Sequence, residues 1–177
     1  NETLEPTFSR DFILVVDDIK DMRTLISKTL KKQSYSVVEA VNGKHALEIS
    51  RKLKPKLIIT DWMMPLMDGP DLIQNLRADE ALCSTPVILL TAKSDDESRL
   101  AGIEIGADAF LGKPFNDAEL SSTVRNLLKL KAGEQKIFEL NQHITENVLK
   151  RYLPGDLVDD VLAGKIIFEE KPVSENI

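Results

Sequence analysis

Five short apolar runs punctuate the chain up to Leu111: Phe12-Ile-Leu-Val-Val16, Tyr35-Ser-Val-Val38, Lys56-Leu-Ile-Ile-Thr60, Pro86-Val-Ile-Leu-Leu-Thr91 and Ala109-Phe-Leu111. The first, third and fourth are hydrophobic throughout instead of alternating, the pattern of a strand covered by helices on both faces. Between the runs, apolar residues return at helical spacing. Met22, Leu25, Ile26 and Leu30 do so before the second run, and Ala46, Ile49 and Leu53 after the Asn42-Gly43 turn. Leu72, Ile73 and Leu76 follow Pro70, which suits a first helical turn. Ser94-Asp-Asp-Glu97 reads as a capping box, and Asn116-Asp-Ala-Glu119 as a near variant of one. Strand and helix alternate five times across residues 12 to about 130. That predicts an α/β fold, a parallel sheet with right-handed crossovers and helices on both faces.

Beyond Asn116 the pattern changes. From there to Arg151 there is no proline and one glycine, Gly133. Leu120, Val124 and Leu127, then Ile137, Leu140, Ile144 and Val148, keep helical spacing on either side of a break between Leu130 and Glu134. Gly133 costs about 1 kcal/mol relative to alanine there, which leaves one helix or two open. A single apolar stripe on a helix leaving a domain predicts a coiled coil and a parallel homodimer. Pro154-Gly155 ends it, and a short amphipathic piece follows with Leu157, Val158, Val161 and Leu162. The expected organisation is an N-terminal arm (1–11), a domain (12–130), a helical signalling linker (131–164) and the start of a further domain (165–177), which has no core of its own.

Composition narrows the classes. The chain has 177 residues, 42% hydrophobic and 29% charged, as expected of a soluble globular protein. One cysteine, Cys83, and two histidines, His45 and His143, exclude a disulfide framework and a Cys/His zinc cluster. A net charge of -6, without a basic face, argues against nucleic-acid and anionic-membrane partners. The apolar runs are too short to span a bilayer and no signal peptide is visible, so the expected location is cytoplasmic. The chain begins at Asn1 rather than Met, so it reads as a fragment.

In an open parallel sheet, ligands bind beyond the carboxyl ends of the strands. Asp17 and Asp18 follow the first run, Asp61 the third and Lys113-Pro114 the fifth, while Thr91 closes the fourth. Three carboxylates within about 4–5 Å repel by several kcal/mol per pair at an effective dielectric near 20. One lysine and one divalent cation bring such a site close to neutral, and an all-oxygen set with few protein ligands suits Mg2+. The chemistry this points to is magnesium-assisted phosphoryl transfer onto a carboxylate, with Lys113 and the Thr91 hydroxyl binding phosphoryl oxygens.

Val15-Val-Asp-Asp18, Asp61-Trp-Met-Met-Pro-Leu-Met-Asp-Gly69, Leu90-Thr-Ala92 and Gly106-Ala-Asp-Ala-Phe-Leu-Gly-Lys-Pro-Phe115 occur in that order over about two-thirds of the chain. This set resembles the signature segments of receiver domains of two-component response regulators. The resemblance implies a flavodoxin-like doubly wound sheet of order 2-1-3-4-5 and a cis Lys113-Pro114 bond. It implies Asp61 as the phosphoacceptor, with Asp17, Asp18 and the backbone carbonyl of Met63 as further Mg2+ ligands. Thr91 and Phe110 would be the switch pair and Lys113 the phosphoryl-binding lysine. The implied donor is a histidine kinase or phosphotransfer protein, and dimerisation could also involve the fourth and fifth helices.

Two other readings compete. A phosphohydrolase of the haloacid-dehalogenase type shares the aspartyl-phosphate and Mg2+, but needs Asp-x-Asp where this chain has Asp17-Asp18-Ile19. An interaction module that lost phosphorylation would not need the intact acids. For the output, Asn141-Gln-His-Ile-Thr-Glu-Asn-Val-Leu-Lys-Arg-Tyr-Leu-Pro154 and Asp156-Leu-Val-Asp-Asp-Val-Leu-Ala-Gly164 resemble the helical segment preceding class III adenylate/guanylate cyclase domains. That implies a nucleotide cyclase as the output, with a different output acting through dimerisation alone as the alternative. The 177 residues themselves are expected to be a regulatory phosphoacceptor, not an enzyme.

Overall fold

The three runs without polar alternation become the three inner strands of a five-stranded sheet. The computed structural model describes residues 11–92, 103–153 and Leu157. The chain forms β1 (Phe12–Val16), α1 (Lys20–Lys32), β2 (Ser36–Ala40), α2 (Gly43–Leu53), β3 (Leu57–Asp61), α3 (Gly69–Ala78), β4 (Val87–Ala92), β5 (Ala109–Lys113) and α4 (Asp117–Tyr152). All pairings are parallel and the strand order is β2-β1-β3-β4-β5. Inner strands have both faces covered, which is why β1, β3 and β4 carry the continuous hydrophobic runs.

Alternation along each strand sorts the core into two layers. Phe12, Leu14 and Val16 face one side with Ala46 and Leu47 of α2 and Leu72, Ile73 and Leu76 of α3. Ile13 and Val15 face the other with Ile26 and Leu30 of α1 and Leu120, Val124 and Leu127 of α4. Fully burying a side chain of this size is worth about 1.5–3 kcal/mol, so the two layers dominate stability.

Two of the helix caps fall where the sequence showed only turns, and a third where it showed a near capping box. Asn42 Oδ1 accepts from the His45 N–H at 2.9 Å and opens α2, and Asp68 Oδ1 accepts from the Asp71 N–H at 2.8 Å to open α3, with Pro70 in its first turn. Before α4 the capping box is reciprocal: the Glu119 N–H donates to Asn116 Oδ1 at 2.9 Å and the Asn116 N–H to Glu119 Oε2 at 3.0 Å. The Lys113-Pro114 peptide bond is cis.

Two strand ends differ from the sequence reading. Asp61 and Lys113 are the last residues of β3 and β5, not the first residues after them. Parallel pairing extends to them because Asp61 is in register with Leu90 and Lys113 with Ala92. The long pattern after Asn116 is one helix, continuous through Gly133. The chain divides into two compact units, residues 1–131 and 132–177. The Ser94 capping box, the arm up to Arg10, Pro154-Gly155, Val158 to Leu162 and residues 165–177 lie outside the described residues. Among the described residues no helix is long and apolar enough to cross a membrane.

Candidate functional site

Strand order reverses beside β1 and β3, and their carboxyl ends carry the acids. Val16 is paired with Thr60, so the next residues, Asp17 and Asp61, stand at adjacent strand ends. Carboxylate oxygens of Asp17, Asp18 and Asp61 all lie within 4.8 Å of one another. Asp17 is fully buried and Asp61 partly buried, while Asp18 is exposed. The cluster is therefore rooted in the sheet and open on one side.

Lys113 reaches it from β5. Its Nζ lies 2.8 Å from Asp61 Oδ1 and 3.4 Å from Asp17 Oδ2. One ammonium among three carboxylates leaves a net negative pocket, the donor set that a hard divalent cation accepts. Burial pushes the Asp17 carboxyl above the usual carboxylate range. It outweighs the hydrogen bond from the Ile19 N–H to Oδ1 at 2.8 Å and the charge of Lys113. For Lys113 burial alone would lower the pKa. The hydrogen bond to Asp61 and the charges of Asp61 and Asp17 together outweigh it and hold the ammonium above its ordinary value.

Asp61, Trp62, Met63, Leu90, Thr91, Ala92 and Lys113 line one cavity of about 310 Å3. Thr91 is buried there, and among the described residues its Oγ1 has no hydrogen-bond partner. A buried hydroxyl without a protein partner is uncommon, and its place in the cavity lets it bond a ligand or a water there. Met63 lines the cavity two residues after Asp61, with 76% of its side chain exposed. Thr91 is in register with Gly112, and Leu89 with Phe110. Phe110 is thus one alternation back from Thr91 on the same face, and the residue directly opposite Thr91 has no side chain. Phe110 itself is partly buried against the first core layer.

Two supporting residues carried no sequence signal strong enough to find them. Arg23 Nη1 donates to the carbonyls of Asp17 at 2.7 Å and Asp18 at 3.2 Å, and its Nε faces Glu39 Oε2 at 3.5 Å. It fastens the acidic turn to β2. Gly69 reads from sequence as a turn residue, yet a Cβ there would meet the Asp61 carbonyl oxygen at 2.4 Å. Its position eight residues after Asp61 was the available signal; the close approach appears only in three dimensions. Cys83 is exposed, and His143 lies exposed on α4.

Known proteins resemble this chain in sequence and in fold. The chain is 36% identical over 138 residues to the hybrid signal transduction histidine kinase D of Dictyostelium discoideum, a match covering 78% of this chain and 9% of that protein. It is 28% identical over 195 aligned positions to the phosphate regulon transcriptional regulatory protein PhoB of Pseudomonas aeruginosa, covering 93% of this chain and 85% of that one. The crystal structure of the signal receiver domain of a histidine kinase from Syntrophus aciditrophicus superposes with a TM-score of 0.63 at 36% identity, covering 67% of this chain and 89% of that one. Residues 13–125 match the response regulator receiver domain family, and the chain belongs to it.

Proposed function

We propose that the domain takes a phosphoryl group from a histidine kinase or phosphotransfer protein onto Asp61. An Asp61 carboxylate oxygen attacks the phosphorus of a phosphohistidine. The new P–O bond forms as the P–N bond breaks, and the imidazole leaves and takes up a proton. Asp17, Asp18, Asp61 and the Met63 carbonyl would hold Mg2+, which when bound supplies positive charge to the phosphoryl oxygens. Lys113 Nζ pairs with a phosphoryl oxygen, and the Thr91 hydroxyl donates to another. The single observation that supports this reading most is the unpartnered Thr91 Oγ1 in the cavity that also holds Asp61 and Lys113.

The added charge and acceptor oxygens give the switch its driving force. Thr91 moves toward the phosphoryl group, and Phe110 fills the space it leaves, repacking the face of β5 and the flanking helices. The domain organisation follows the sequence reading: a receiver body to about residue 130, then a helical linker. Two copies pair through α4, and the change passes along it to an output, a nucleotide cyclase. The likeness of residues 141–164 to cyclase-preceding helices supports that last step.

The test is incubation with acetyl phosphate and Mg2+ followed by intact-mass measurement. Wild type gains one phosphoryl group and Asp61→Asn gains none; a gain in both misplaces the acceptor. Reading the gene downstream of the Ile177 codon tests the cyclase output.

A further inference from the structure

Among the described residues, the outer part of α4 leaves an apolar face unpartnered. No described side chain from Ala132 to Tyr152 is buried. Ile137, Phe138, Leu140, Ile144, Val148 and Tyr152 are each between 51% and 75% exposed. Two copies of this face together offer on the order of 1,000 Å2, the threshold for a specific interface. Leu130, Ile137 and Ile144 stand seven residues apart, and Val148 follows one turn later. At about 100° per residue, Ile137, Asn141, Ile144 and Val148 fall within about 60° of one another. A seam with this repeat is built to meet another helix of the same repeat.

One member of that seam is polar, and it stands between apolar members along the helix. Asn141 sits between Ile137 and Ile144 with its side chain exposed. We infer that Asn141 fixes the parallel orientation and register of the α4 pair; this rests on the dimer reading given above and goes beyond it. A carboxamide carries donors and an acceptor, so two copies at one level satisfy each other. In a slipped pair each Asn141 would face an aliphatic side chain and lose its hydrogen bonds. An antiparallel pair centred on Asn141 would set Val148 against Glu134. Only the parallel, in-register pair joins Asn141 to Asn141 while keeping Ile137, Ile144 and Val148 each against its own copy.

The experiment uses the whole 177-residue chain in a Cys83→Ser background carrying Val148→Cys. Sedimentation gives the oligomeric state, and oxidised glutathione reports whether the two copies of position 148 meet. The expected result is a dimer that cross-links at 148. Adding Asn141→Leu lowers the cross-linked yield at least twofold or produces trimers and tetramers, while the melting temperature rises. Phosphorylation by acetyl phosphate, measured in parallel, stays unchanged and shows that the receiver body is folded. A dimer that does not cross-link at 148, or whose yield and size Asn141→Leu leaves unaltered, overturns the role of Asn141 and leaves the dimer standing. A monomer at all concentrations overturns the dimer reading itself, and this inference with it.

Discussion

Lys113 Nζ stands 2.8 Å from Asp61 Oδ1, closer than to any Asp17 oxygen, so the cation is paired first with the residue proposed to accept phosphoryl. Removing it separates two roles. Lys113→Ala leaves the three acids more negative, so Mg2+ should bind several-fold more tightly, as a ~4 Å charge contact at an effective dielectric near 20 allows. Phosphorylation by acetyl phosphate should nevertheless fall about ten- to a hundredfold, because a charge-assisted contact to the phosphoryl group is gone. Trp62 lines the cavity, so its fluorescence follows the Mg2+ titration. Weaker Mg2+ binding in the variant would show that Lys113 organises the metal site instead.

The raised pKa of Asp17 sets a pH dependence. In the folded, metal-free protein this carboxyl keeps its proton to higher pH than in the unfolded chain. Its contribution to stability is full below the ordinary value of 3.8 and is lost as pH rises through the raised value. Asp17→Asn removes that loss, so above this window the variant should be more stable than metal-free wild type. Protons compete with the cation, so Mg2+ affinity of the wild type should fall as pH drops through the same window. Urea unfolding at several pH values, with and without Mg2+, checks both signs.

Two glycines should respond oppositely to alanine. At Gly69 the added Cβ would lie 2.4 Å from the Asp61 carbonyl oxygen and 2.9 Å from Leu89 Cδ1, so backbone must move. Gly69→Ala should cost about 2–4 kcal/mol and slow phosphorylation, because it pushes on the residue that carries Asp61. At Gly133, within α4, a Cβ meets nothing within 4 Å. Gly133→Ala should stabilise the helix by about 1 kcal/mol. Denaturant midpoints and far-ultraviolet circular dichroism distinguish the two.

Leu66 occupies the left-handed region at φ 69° with 84% of its side chain exposed. A leucine gains nothing from packing there and carries the steric cost of that backbone conformation. Leu66→Gly relieves the strain but loosens the unfolded chain, and Leu66→Asn relieves part of it without that entropy cost. Leu66→Asn should raise stability by about 0.5–1 kcal/mol with phosphorylation unchanged. A loss of stability would mean that Leu66 makes an apolar contact in solution.

Much of this molecule was legible before any coordinates. The unbroken apolar runs named the inner strands, and a polar residue at each end named the rim of the sheet. Asn116 with Glu119 declared a helix start because capping is local chemistry, and Asn42-Gly43 declared the turn that α2 follows. The long-range supports were not legible. Arg77 is a helix residue like any other in sequence. In the fold its guanidinium binds the carbonyls of Cys83, Thr85 and Gly106 and the carboxylate of Asp108, tying α3 to the start of β4 and the approach to β5. Nothing in the spacing of these residues announces that meeting.

By itself the sequence determined where the five strands and the helices between them lie, to within a residue or two at their ends, because periodicity, capping and turn preference act over a few positions. The tertiary structure decided how closely Asp17, Asp18, Asp61 and Lys113 approach one another, and that Thr91 is left beside Asp61 and Lys113 with a buried hydroxyl and, among the described residues, no partner. It also decided that α4 runs unbroken through Gly133. For the site the reason is distance. Desolvation, charge pairing and close backbone approach depend on distances between residues far apart in the chain, and those distances exist only once the sheet has assembled.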